Sequence, residues 1–445
     1  MLPASSISSI RSIPQIYQYI TEFPTISDSG PNAITVGPSG DVWFVMGGLT
    51  SLGELTPENG TVKVYQLPEQ KNLTANSWGV AFDDKRNLVW FTDEISNAVW
   101  SFNVQTDEFA KHALPHPRSS PYQISIDNSD NVWFTEIDGN RLGEISATTG
   151  ALNEYQVPLT SAYNALINST GPAGLAIGKD GTIWFAEAYG NAICSYSGGK
   201  FHQYDLSSFG VNSPTGIAIS PNGASLWITQ HGGSFISRYD PNSHFLVTIS
   251  TSVIGVTESL PYFIQVDSQG NVWFNEHYGN AIGRYNPSNN TLVEYEVPSR
   301  IPNLGNLSGV VTFTLSQHGQ PWFTELYTGK IGTVNISKPV QLSMRISGMS
   351  GNTLNLNGGN SGSSSLNVTV DEHLGSSPVT LKSFVGNPNV KLGIHFSKSS
   401  GSNNFASNLT ITNESSGSYS NNLCWITISA VSSQVIAGEV VQIEL

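Results

Sequence analysis

Short strands of alternating apolar and polar residues, cut by turn residues, run through most of this chain. One cycle reads YQISID (Tyr122 to Asp127), NVWFTE (Asn131 to Glu136), RLGEIS (Arg141 to Ser146) and LNEYQVP (Leu152 to Pro158). Each piece is strand-length with a period of two. Turns of the NSD, DGN and TTG type divide them, as hairpins require. The cycle returns later as YFIQVD, NVWFNE, AIGRYN and LVEYEVP.

The repeat is marked by tryptophan. Trp43, Trp90, Trp133, Trp184, Trp227, Trp273 and Trp322 each open a Trp-Phe or Trp-Ile pair, at spacings of 47, 43, 51, 43, 46 and 49 residues. Units of this length holding several short strands mark a β-propeller. Seven units predict seven blades, with the large indole filling the gap between neighbours. The last unit lacks an outer strand after PWFTELYTGKIGTVNIS, while IYQYITEFP (Ile16 to Pro24) has the outer-strand pattern at the other end of the chain. The amino terminus is therefore expected to close the ring on blade 7 and to leave no open edge there.

From about Lys338 the tryptophan period stops. A Gly/Ser-rich stretch, NGGNSGSSS, precedes the strand-like runs LNVTV, PVTLKSF, VKLGIHF, NLTIT, LCWITISAV and VVQIEL. The division expected is a propeller over 1–337 and an immunoglobulin-like β-sandwich over 338–445. The fold class is thus all-β. The tail shows no catalytic cluster and reads as an independently folding spacer, or as a module that docks to a surface assembly.

Composition narrows the function classes. Only 12% of the 445 residues are charged and the formal net charge is −14. That balance argues against nucleic acid or an anionic membrane as partner and leaves cations, sugars and proteins. No run approaches the length of a transmembrane helix. The opening MLPASSISSIRSIP lacks the apolar core of a signal peptide. Cys194 and Cys424 are too few for a disulfide framework and are either buried thiols or one bridge between domains. Asn-x-Ser/Thr sequons at Asn59, Asn72, Asn168, Asn289, Asn306, Asn335, Asn367, Asn408 and Asn413 fit a secreted or cell-surface glycoprotein, although a chain rich in Asn, Ser and Thr yields several by chance.

The runs SGPNAITV, GNVWFNEHYGNAIGRY and LVEYEVP resemble the blades of the virginiamycin B lyase (streptogramin lyase) family, and the likeness covers residues 16 to 337. It implies a single-chain propeller that linearises a cyclic depsipeptide antibiotic by elimination, with a metal ion, normally Mg²⁺, and a histidine base. In that family the base follows the Pro that opens an inner strand, in a Glu-Pro-His-Gly run. The equivalent positions here are Asn32, Trp78, Tyr122, Ala173, Thr215, Tyr262 and Ser308. None is His. The positions two earlier, Gly30, Asn76, Ser120, Gly171, Ser213, Leu260 and Asn306, hold no carboxylate, and Leu326 stands where the family's other metal carboxylate would be. An elimination needs a base at the substrate proton, so streptogramin lyase activity is not expected.

Other chemistry gathers at the expected mouth of the ring. Three places after each blade Trp stand Met46, Asp93, Glu136, Glu187, Gln230, Glu276 and Glu325, and one place further stand Glu94, His231 and His277. Glu136, Glu187, Glu276 and Glu325 either accept bonds from backbone amides and join blade to blade or hold a hard cation, Ca²⁺ or Mg²⁺. His231 and His277 are either solvated loop residues or a base or metal-binding pair. Tyr122, Tyr262 and Phe263 begin inner strands, and Tyr189, Tyr278 and Tyr327 lie in loops. These rings can stack on sugars or peptide side chains, or simply pack the rim. The leading expectation is a non-catalytic extracellular or cell-surface binding propeller with a protein or glycan ligand. The alternative is a metal-assisted lyase or hydrolase whose site has moved to the two histidines.

Overall fold

The protein is described by a computed structural model. Residues 2–3, 7–68, 76–251, 258–305, 307–349, 353–356, 363–372, 378–385, 391–402, 404–414 and 423–444 are placed. Residues 357–362 of the expected flexible Gly/Ser stretch and the sequons at Asn72 and Asn306 lie outside the described residues, while the stretch's last three residues, Ser363, Ser364 and Ser365, open a strand.

The chain is an all-β propeller with an appended pair of β-sheets. Seven antiparallel sheets surround an axis, each laid down from the inside outward. Blade 3 holds Pro121–Ile126, Val132–Glu136, Arg141–Ile145 and Leu152–Gln156. Blade 6 holds Pro261–Val266, Val272–Glu276, Ala281–Asn286 and Thr291–Glu296. The repeated tryptophans fill the seams: Trp43 of blade 1 packs on Phe82 and Phe102 of blade 2, and Trp227 of blade 5 on Tyr285 of blade 6. The Phe after the Trp points to the opposite side of its strand. Phe44, Phe91, Phe134, Phe185, Phe274 and Phe323 are fully buried there.

Blade 7 closes as the sequence predicts. Ile20–Pro24 pairs antiparallel with Lys330–Val334, Phe23 standing opposite Ile331. Gln15–Ile16 folds back on Thr21 and Glu22 to extend this edge. The first residues do something the pattern did not announce: Ile7–Arg11 adds a strand to the outer edge of blade 1, and Leu2–Pro3 pairs with that of blade 2.

The tail forms two sheets. One contains Leu342–Ser347, Ser363–Glu372, Phe405–Asn413 and Leu392–Phe396. The other contains Val435–Glu444, Leu423–Val431, Val379–Val385 and Ser400–Gly401. Leu366, Val368 and Leu409 from the first are buried in one cluster with Ile426, Ile428 and Ile443 from the second. The tail, expected to fold independently, is joined to the ring at its edge. Val435–Glu444 also pairs antiparallel with Thr291–Glu296, so the tail's sheet continues blade 6 without a break. Trp425 and Val440 share a cluster with Trp227 and Tyr285, and Thr427 donates to the Ser250 carbonyl at 2.6 Å. An outer strand that would otherwise be an exposed edge is thereby paired. Cys194 and Cys424 are both buried, and neither forms a disulfide.

Candidate functional site at the propeller mouth

Inner strands begin, and second strands end, at one face of the ring. Alternation along the second strand then sorts four consecutive side chains. The residue two after the Trp crosses to the next blade: Thr92, Thr135 and Thr229 donate to the carbonyls of Tyr122, Ala173 and Tyr262, and Asn275 to that of Val310. In the following turn Asn97, Asn140, Asn191 and Asn280 adopt positive φ, which Asn tolerates better than most residues. Their side-chain oxygens accept from the amides of Ser119, Thr170, Ser213 and Ser308 at the entry to the next blade. These two positions carry the blade-to-blade bonding that the sequence reading offered to the glutamates. The recurring Gly-Asn or Ser-Asn before the third strand was the visible sign of it.

The glutamates turn into the blade seams instead and are not brought together. Glu187 accepts from the Thr170 hydroxyl and the Gln203 side-chain amide, each at 2.9 Å. Glu325 accepts from the Thr328 hydroxyl at 2.7 Å. Arg141 lies 3.8 Å from Glu136. The Thr251 and Ser259 hydroxyls reach Glu276. Among the described residues no three His, Cys, Asp or Glu side chains gather to hold a metal ion, so the cation expected at Glu136, Glu187, Glu276 and Glu325 is given no shared site. Burial pushes Glu136 and Glu325 up to about 8 and Glu187 to about 7, and it raises Glu276 as well.

The next residue along faces the axis. His277, adjacent to Glu276, stacks on His231 of the preceding blade with ring centroids 5.9 Å apart and planes 13° from parallel. Tyr262 lies 4.5 Å from His231 and 5.9 Å from His277. Its hydroxyl meets that of Tyr122, which belongs to a blade on the far side of the ring. Trp78 stacks on Tyr122 at 5.6 Å and meets Tyr262 edge-on at 5.9 Å. Phe263 packs against Tyr262 at 5.0 Å. The axis is thus plugged at this face by rings from several blades. Below the plug lies a channel cavity of about 510 Å³, lined by inner-strand residues such as Ile34, Gln123, Ile217 and Gln265.

Polar groups ring the plug. Glu94 accepts from Asn76 at 2.6 Å and from the Trp78 indole at 3.4 Å. Asp138 accepts from Ser120 at 2.7 Å and from the Tyr189 hydroxyl at 3.3 Å. Burial and the nearby Asp138 push Tyr189 up to about 12. The Tyr122 hydroxyl is raised chiefly by burial. Burial lowers His231, and burial together with the His231 charge lowers His277 to about 4, so both imidazoles are neutral at pH 7. The Nδ1 atom of each is buried without a hydrogen-bond partner. Around this centre Tyr189, Tyr278 and Tyr327 stand exposed.

The sequence candidates thus divide. Tyr122, Tyr262, Phe263, His231 and His277 form one continuous cluster, and Tyr189 and Tyr278 form part of its rim. Trp78 and Glu94 complete the cluster. The repeat put Trp78 in the same inner-strand slot as Tyr122 and Tyr262 but gave it no role, and its blade lacks the Pro that opens most of the others.

Comparison with known proteins places this geometry. The Virginiamycin B lyase family pattern matches residues 18–172 and again 160–344. A virginiamycin B lyase from Nocardia farcinica is 26% identical over 184 residues; that alignment covers 41% of this chain and 58% of the relative's length. A streptogramin B lyase structure superposes with a TM-score of 0.61 at 27% identity, covering 71% of this chain and 97% of that one. A catalytically inactive histidine-to-alanine virginiamycin B lyase from Staphylococcus aureus with quinupristin superposes with a TM-score of 0.60 at 24% identity, covering 71% and 98%.

Proposed function

Given that this chain belongs to the virginiamycin B lyase family, we propose that it is a binding propeller of that family which has exchanged the lyase's chemistry for an aromatic recognition face. One observation carries the reading. Tyr122 and Tyr262 stand in two of the seven inner-strand slots among which the family resemblance implies a histidine base, none of which holds His, and their hydroxyls bond to each other across the axis. A phenol held neutral by burial is a poor proton acceptor. What the mouth offers instead is stacking surface: Trp78 at the centre, a polar ring of Asn76, Glu94 and Asp138 about it, and the exposed Tyr189, Tyr278 and Tyr327 at the rim. Such a face suits the rings of a glycan or the aromatic side chains of a protein. An extracellular or cell-surface setting goes with this reading. It is supported by the weakly charged composition and by exposed sequon asparagines at Asn59, Asn168, Asn289, Asn367 and Asn408. The tail, read as immunoglobulin-like, then serves as a rigid spacer.

The test uses the lyase's own kind of substrate. Purified protein is incubated with quinupristin and Mg²⁺, the product is analysed by mass spectrometry, and binding is followed by Trp fluorescence. Intact antibiotic supports the reading, and a quenched signal identifies a cyclic peptide as a ligand class. Linear product overturns it.

A second reading has its own observation, the stacked His231 and His277 with their unpartnered Nδ1 atoms. A base works best when its pKa lies near the working pH. With His277 lowered to about 4, catalysis from this pair would show a rate that rises as pH passes through that value and disappears in the His277→Ala variant.

A further inference from the structure

One position repeats along the blades, and in six of the seven its chemistry changes in step with a partner. The third residue after the Trp lies on the same side of its strand as the Phe. Level with that Phe, across the third strand, stands one residue of the outer strand. In blade 3 the line is Phe134, Gly143, Glu154; in blade 6 Phe274, Gly283, Glu294; in blade 7 Phe323, Gly332, Glu22. The central glycine has no side chain, and a Cβ there would stand 2.1 Å from the Phe134 ring, 2.2 Å from Phe274 and 2.1 Å from Phe323. The outer glutamate therefore shares its seam with the second-strand glutamate: Glu136 with Glu154, Glu276 with Glu294, Glu325 with Glu22.

Other blades show what this position accepts. Blade 1 has two apolar residues, Met46 and Val64. Blade 4 has Glu187 bonded to Gln203 at 2.9 Å. Blade 5 has Gln230 linked through Ser237 to Thr248, at 2.7 and 3.0 Å. An amide facing a carboxylate has the donor–acceptor pattern of a carboxylic acid facing a carboxylate. Blade 4 is thus an internal reference for a pair with one proton in it. In the three Glu–Glu blades, Glu136, Glu276 and Glu325 are at most 1% exposed, and each keeps at least one buried oxygen with no hydrogen-bond partner, as does Glu154. Two ionised carboxylates confined together would repel.

We infer that these pairs are three proton-binding sites, each holding one shared proton that ties the second and outer strands within blades 3, 6 and 7, and that the ring is built for an acidic to neutral medium. In each, the protonated carboxyl donates its O–H to the partner carboxylate; raising the pH releases that proton to solvent and leaves two facing anions. The neighbouring charges differ. Glu154 is also bonded by His116, with Arg141 3.9 Å away. Glu22 is paired with Lys330 at 2.6 Å. The blade 6 pair has a further carboxylate, Glu296, which Arg300 engages at 2.9 Å, and the tail's Ile436 stands beside Glu294. Burial is the leading reason these acids are raised, to about 8 at Glu136 and Glu325. The folded chain then binds more protons than the unfolded one between the ordinary carboxylate range and that value. Stability is full in acid and is lost as pH rises through the folded values.

The experiment compares melting curves of the full chain from about pH 5 to about pH 9 with those of the triple variant Glu154→Gln, Glu294→Gln, Glu22→Gln, in which blade 4's arrangement is copied into the other three. The native chain should lose melting temperature as pH rises and then level off, while the variant loses distinctly less, keeping only the part that burial alone causes, as at Glu187 facing Gln203. An equal slope in both, or no slope in the native chain, overturns the inference. If the triple variant does not fold, Glu294→Gln alone should remove part of the slope. Infrared spectra of the native chain at neutral pH give a second reading: the carbonyl band of protonated carboxyl groups should be present and should fade in alkali, and its absence at neutral pH would also overturn the inference.

Discussion

Glu276 and His277 are neighbours in the chain and belong to different worlds. The glutamate points into a closed seam, where Phe274 and Glu294 are fully buried and a Cβ on Gly283 would meet the Phe274 ring. The histidine points to the axis, where rings from several blades meet beside an open rim. Both are ionisable and both are shifted by burial, in opposite senses, because burial favours whichever form is neutral. The seam keeps an acid protonated; the mouth keeps a base unprotonated. Seam residues are constrained by packing on every side, while mouth residues are constrained on one side and available on the other. Perturbed ionisation alone therefore did not distinguish a site from a structural joint. Direction along the strand did.

The contrast can be broken first in the seam. Phe274→Ala should cost about 3–5 kcal/mol, the range for emptying a fully buried aromatic position, measured as a drop in denaturation midpoint. Next comes Gly283→Ala. A Cβ would lie 2.2 Å from the Phe274 ring, and overpacking of this kind costs about 1–3 kcal/mol. A neutral result would mean that the seam is softer than its geometry. Gln203→Glu should convert blade 4 into a fourth carboxyl pair. It should be close to neutral in acid and destabilising by about 1–3 kcal/mol in mild alkali, the cost of an unsatisfied buried polar group; melting curves at the two pH values decide. At the mouth, Tyr262→Phe removes the hydroxyl bond to Tyr122 at about 0.5–1.5 kcal/mol and should alter Trp78 fluorescence. Smallest of all, Tyr278→Ala on the exposed rim should change stability by less than about 0.5 kcal/mol while weakening any ligand bound by stacking. An effect on stability as large as that of Gly283→Ala would dissolve the distinction between rim and seam.

Much of this was legible without coordinates. The tryptophan period, the four-strand cycle and the missing outer strand of the last unit are one-dimensional signals, because each blade repeats the same local pattern of alternation and turns. They predicted the seven blades and their closure by the segment Ile16 to Pro24, of which Ile20–Pro24 pairs with Lys330–Val334. The same reading placed Tyr122, Tyr262, His231 and His277 at one face, since strand direction decides which ends share it. It also sent Glu136, Glu187, Glu276 and Glu325 to that face, and there it went wrong by one residue's worth of alternation. Adjacent strand positions point to opposite sides, but the chain does not say which side is the axis and which is the seam.

Sequence by itself thus determined the repeat, the ring and the set of candidate side chains, because these depend on local periodicity. Only the tertiary structure decided the partners. Glu154 meets Glu136 across a glycine, Tyr262 meets Tyr122 across the axis from three blades away, and Val435–Glu444 turns the tail into an extension of blade 6. Each of these contacts joins residues far apart in the chain, and their pairing depends on ring closure and sheet register. No local pattern encodes which distant strand will stand alongside.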